Sequence, residues 1–128
     1  MSGPRPGPER GQSTVELALL LPVVVLLLLV LLQVGLVARD VVLVAHAARE
    51  GARAAAVDDD EDAARVAVEA SSGLDPDRLE VRTSGRSGPG SQVRVEVVYE
   101  IPTDVPVIGH MLGDRTVRSA VTMRVEGP

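Results

Sequence analysis

The chain has 128 residues, 45% of them apolar, a single aromatic residue and no cysteine, and it carries a net charge of −5. This length suits one small domain plus an anchor and excludes a large enzyme. The missing cysteines exclude disulfides and thiolate chemistry, and the acidic balance is a poor match to a nucleic-acid binder.

All 13 basic residues are arginine, and the charge is uneven. Residues 1–38 hold two Arg and two Glu, leaving 11 Arg against 16 acids beyond them. The lone aromatic is Tyr99, so any soluble core is aliphatic and built mainly from Val, Leu and Ala.

Residues 1–11, MSGPRPGPERG, read as a short disordered arm because Pro and Gly dominate them. From Leu17 to Leu32 every residue is apolar, and after Gln33 the run continues from Val34 to Ala38. Since about 20 apolar residues cross a bilayer core, residues 12–38 are predicted to form a transmembrane helix. Pro22 falls in its first turns, where it removes one backbone hydrogen bond.

The helical pattern runs on through residues 39–57. At 100° per residue Arg39, His46, Arg49, Glu50 and Arg53 share a polar arc. Val41, Val44, Ala48, Gly51 and Ala55 lie opposite, spaced as heptad a and d positions. Such a small-residue stripe admits a second helix, or seats the chain's own sheet. One helix from Leu17 to Val57 extends roughly 60 Å, about twice a bilayer core, so its second half projects.

Residues 58–128 are expected to form a small α+β domain. The acidic run DDDED, residues 58–62, interrupts the first helix and supplies an acidic first turn to a short second one over AARVAVEA. After the turn SSGLDPDR, three stretches alternate with period two: LEVRT, VRVEVVYEI and VRSAVTMRVE. They predict a three-stranded antiparallel sheet with an apolar face of Leu79, Val81, Val93, Val95, Val97, Tyr99, Ile101, Val117, Val121, Met123 and Val125. So small a domain is marginal alone, and the long helix is expected to complete its core. The apolar loop over residues 105–112 is expected to fold over the open end of the sheet or to offer a partner patch.

Chemistry-bearing residues are few. His46 and His110 lack acidic neighbours at metal-ligand spacing, and His46 is expected to pair with Glu50 on the surface. No nucleotide loop, activated nucleophile, metal cluster or cofactor motif is visible, so no catalytic site is expected. Glu16 stands out, because an acid within an apolar helix carries an insertion penalty that shrinks near the interface.

Gly11 precedes Glu16 by five residues, between the polar arm and the apolar run, as GQSTVE. This arrangement resembles the processing site of type IV pilin-like proteins. The segments RGQSTVELALLLPVVVLLLLV and HAAREGARAAA together resemble the TadE-like minor pilins of Tad (Flp) pilus systems.

That resemblance implies cleavage between Gly11 and Gln12 by a prepilin peptidase that recognises Glu16, with residues 1–11 a cytoplasmic leader. It implies a pilin-like fold in the cell membrane, with residues 58–128 extracytoplasmic. Other pilins, the inner-membrane assembly platform and membrane lipid would be its partners. The chain departs from the major pilins of these systems by its added soluble domain, which favours a minor component.

Two other readings share the helix. An uncleaved, membrane-anchored envelope protein with a ligand-binding outer domain leaves Gly11 and Glu16 without a role. An ordinary secreted protein cut at AHA, residues 45–47, conflicts with an apolar segment far longer than a signal-peptide core.

Overall fold

The computed structural model describes residues 3, 9–102, 110, 111, 113 and 115–127. Helix α1 runs from Glu9 to Val57, 49 residues without a break. It begins inside the expected leader, because the last proline of that arm is Pro8 and every later residue there has a backbone N–H to give. Pro22 lies within α1, where its missing N–H leaves the Ala18 carbonyl without the usual donor.

Helix α2 spans Ala63–Ser72 and ends on Gly73, whose φ of 62° is the left-handed conformation that glycine adopts without a Cβ penalty. Its first turn contains no acid, contrary to the expectation from DDDED. The acids cap one another in the connecting turn instead: the Asp60 amide donates to Asp58 Oδ1, and the Asp62 amide to Asp60 Oδ1, both at 3.0 Å. Asp62 is left at the N-cap position, and Arg65 reaches back to it at 3.2 Å.

A 3₁₀ turn over Pro76–Arg78, capped by the Asp75 side chain, leads into the sheet. Strands β1 (Leu79–Ser84), β2 (Gln92–Ile101) and β3 (Arg115–Arg124) form an antiparallel meander in the order β1-β2-β3. The register pairs Val81 with Val97 and Tyr99 with Val117, so the apolar residues of all three strands share one face. On that face Val93, Val95, Val97, Tyr99 and Ile101 are buried.

The cover for this face is the second half of α1 together with α2. Val44, Ala47, Ala48, Ala52, Ala55 and Ala56 of α1 are buried with Ala64 and Val68 of α2 in the same core. Small side chains let three layers meet closely around an aliphatic centre. Gly51 sits at their junction, where a Cβ would stand 2.6 Å from Val68 Cγ2 and 3.2 Å from Val95 Cγ1.

The end of α1 is tied to the sheet by hydrogen bonds. Arg86, in the β1–β2 loop, donates to the carbonyls of Ala55 (2.7 Å) and Asp58 and to the Asp59 carboxylate. The Glu126 amide, just past β3, donates to the Ala56 carbonyl at 3.0 Å. Carbonyls that a helix terminus leaves without partners are thereby satisfied from two other parts of the chain.

Candidate functional site

The first half of α1 is the most unusual surface of the molecule. Its most apolar 18-residue window has a mean hydropathy of 3.1, and none of that window is buried inside the chain. Leu17, Leu19, Leu27, Leu28 and Leu31 all stand exposed. A helix at the core of a soluble protein would have this surface covered by its own fold. Here the apolar surface is left for a bilayer or for other helices.

Gly11, Gln12 and Glu16 lie on the first turns of α1 and are exposed. Helical geometry sets Gln12 and Glu16 one turn apart on the same face, at i and i+4. The Gly11–Gln12 bond joins the residue least committed to helix to the start of the apolar segment. A Cβ at Gly11 would meet nothing within 4 Å, so the surroundings of this bond are open.

The small-residue stripe falls in the projecting half. Val44, Ala48, Gly51 and Ala55 are buried beneath the chain's own sheet and α2, whereas Val41 is 43% exposed. The structure therefore brings four of these five residues together in the core, and leaves Val41 outside it. Arg39, His46, Arg49 and Arg53 lie on the exposed side. Among the described residues no ion pair joins His46 to Glu50, since an exposed pair gains little over solvation.

Among the described residues no group of three or more His, Asp or Glu is placed to hold a metal ion. Of the apolar loop at 105–112, only His110 and Met111 are described, and both are exposed. The rest of that expected loop lies outside the described residues.

Two polar residues of α1 are buried. Gln33 is 3% exposed, with no hydrogen-bond partner for its Oε1 among the described residues, and Asp40 is 7% exposed. Asp40 lines a cavity of about 230 Å³ with Leu36, Arg39, Leu74, Asp75 and Tyr99. Burial pushes the Tyr99 hydroxyl's pKa up and the nearby Asp40 charge adds to the rise, while a backbone hydrogen bond from Asp75 opposes it. In sequence Asp40 is simply the acid beside Arg39, and the only signal for its burial is its four-residue spacing from Val44.

Residues 11–53 match the family model described as TadE-like protein. Over this stretch, about a third of the chain, the sequence is TadE-like. The match starts at Gly11, covers the whole exposed apolar segment and ends within the packing stripe. No curated protein and no solved structure matches the chain significantly. The TadE-like match and the exposed apolar helix together support a pilus-related, membrane-anchored protein.

Proposed function

We propose that this TadE-like chain is a pseudopilin, a minor structural or assembly component of a Tad (Flp) pilus or a related secretion machine. In this reading a prepilin peptidase cuts between Gly11 and Gln12. Residues 12–38 remain in the cell membrane, and residues 58–128 lie outside the cytoplasm. Its partners are other pilins through α1, the inner-membrane assembly platform and membrane lipid. It acts as a structural part, without catalysis or a cofactor.

The observation that carries the reading is the position of Glu16, exposed on the helix one turn after Gln12 and at the foot of a bare apolar surface. Cleavage would create an α-amino group on Gln12 with a pKa of about 8, mostly charged at neutral pH. At the edge of the hydrocarbon an unpaired charge is costly, and Glu16 offers the neutralising partner on the same chain or on a neighbour. Glu16 is thus explained by an amine that exists only after processing.

The test is the intact mass and N-terminal residue of the protein from its native membrane, with and without a prepilin peptidase. The expected mature chain starts at Gln12 and is lost when the peptidase is absent. A chain that still starts at Met1 or Ser2 would replace this reading with an uncleaved, membrane-anchored binding protein.

A further inference from the structure

Where the apolar run of α1 gives way to charge, Asp40 presents a largely buried carboxylate whose ion pair among the described residues is a long one. The Asp40 side chain is about nine-tenths buried, and its ion-pair partner among the described residues is Arg39, at 4.0 Å and itself 66% exposed. At that distance the guanidinium makes no hydrogen bond to it. Burying a carboxylate without close donors costs free energy unless another group supplies the missing contacts.

The cavity beside Asp40 has the chemistry of a zwitterion's complement. A second acid, Asp75, lines it, its half-exposed carboxylate accepting the Asp77 amide at 3.1 Å and pairing with Arg78 at 3.7 Å. Tyr99 also lines it, and an aromatic ring adds a favourable partner for an ammonium group. Arg39 stands at the rim, where a phosphate would sit. Leu36, the last large apolar residue but one before Arg39, forms the edge nearest the apolar half of α1.

We propose that this cavity is a binding site for a phosphoethanolamine headgroup, presented by a zwitterionic lipid of the membrane that α1 enters. The ammonium lies between Asp40 and Asp75 against Tyr99, and the phosphate meets Arg39. An anionic headgroup without an amine would set a like charge against both carboxylates. The lipid as source rests on the membrane placement of α1 given above, whereas the headgroup chemistry does not.

The test uses the full chain in nanodiscs of phosphatidylglycerol alone or mixed equally with phosphatidylethanolamine, with retained lipid counted by native mass spectrometry. The wild type is expected to retain phosphatidylethanolamine in preference. Asp40→Asn should lower that retention about tenfold, the loss of one charge-assisted contact. Asp77→Asn, an exposed acid outside the cavity, should leave it unchanged. Equal retention of the two lipids by the wild type, or undiminished retention by Asp40→Asn, overturns the proposal.

If Asp40→Asn fails to melt cooperatively, Arg39→Gln at the exposed rim decides, and retention equal to that of Asp77→Asn counts against the site. A parallel titration with soluble glycerophosphoethanolamine follows the Leu74 and Asp75 amides by NMR, with glycerophosphoglycerol as control. Failure of the chain to enter nanodiscs would sink the membrane placement, and the soluble titration would then judge the headgroup site by itself. Amide shifts with both compounds, or with neither, overturn it.

Discussion

Gly51 of α1 faces Val68 of α2 so closely that a Cβ on the glycine would stand 2.6 Å from the valine Cγ2. The same atom would lie 3.2 Å from Val95 Cγ1 of β2, so helix, helix and sheet converge on a position that has room only for hydrogen. Val68 is fully buried, and a β-branched side chain in a helix has essentially one rotamer, so it cannot turn aside.

Gly51→Ala therefore sets two effects against each other. Helix propensity favours alanine by about 1 kcal/mol. Overpacking a tight core costs about 1 to 3 kcal/mol. The clash is expected to win, lowering the melting temperature of the full chain in detergent by several degrees. Adding Val68→Ala should make the double variant less destabilised than the sum of the two single changes, as residues in direct contact are coupled. Strict additivity would show that the two residues do not share this space.

Arg86 and Asp59 offer a contrast between a cap and a surface charge. Arg86 donates to the Ala55 and Asp58 carbonyls at the end of α1, whereas the Asp59 carboxylate it also meets is 97% exposed. Arg86→Ala is expected to cost about 1 to 3 kcal/mol by leaving helix-end carbonyls without a donor. Asp59→Asn should cost less than about 1 kcal/mol, because an exposed ion pair is worth little. Nη1 of Arg86 meets both carbonyls while Nη2 meets Asp59, so Arg86→Lys, a single ammonium on a different stem, keeps the charge but loses the second arm and should recover only part of the loss. Chemical denaturation of the three variants checks the order.

The strands were readable because period-two alternation is a strong signal when one face is aliphatic and the other carries Arg and Glu. The register then follows, since slipping Val97 by one residue would turn Val93, Val95 and Tyr99 out to water. The heptad-like spacing likewise placed Val44, Ala48 and Ala55 on one face of α1. What stayed hidden depended on partners distant in sequence. Nothing near Arg86 reveals that it caps a helix ending some 30 residues earlier. Asp40 looks like an ordinary juxtamembrane acid until the segment from Gly73 to Asp75 and the end of β2 fold over it. Helix α2 starts at Ala63 as expected, but without the expected acidic first turn, because acids suit a first helical turn yet also cap turns of their own.

At the other end of α1, Glu16→Gln separates processing from assembly. The amide keeps the size of the side chain and lowers the cost of placing it in the membrane, so insertion should be undisturbed. If Glu16 neutralises the new amine, the variant should reach the membrane in normal amounts but enter assembled pili or their basal complex at a reduced level. The measurement is the ratio of assembled to membrane-bound protein, with the N-terminal residue determined in each fraction. Incorporation equal to wild type from a correctly cut chain would remove the pairing role.

Tyr99 makes the alkaline limit of the fold unusually simple to examine. The chain has no lysine and no cysteine, so above about pH 9 Tyr99 is the side chain that titrates before arginine. Burial, reinforced by the Asp40 charge, raises its pKa above the ordinary value of 10.0. A raised pKa means that the folded state holds the proton more tightly than the unfolded state does. The associated stability is fully present below the unfolded pKa, near 10, and is lost as pH rises through the higher folded value. Thermal unfolding of the full chain should therefore be nearly flat from about pH 8 to 9.5 and fall beyond it. Tyr99→Phe should show a smaller fall. Asp40→Asn removes one cause of the raised pKa, so it should shrink the fall relative to its own value at pH 8 without moving its onset, which the unfolded chain sets. An equally steep fall in Tyr99→Phe would assign the alkaline transition to another group.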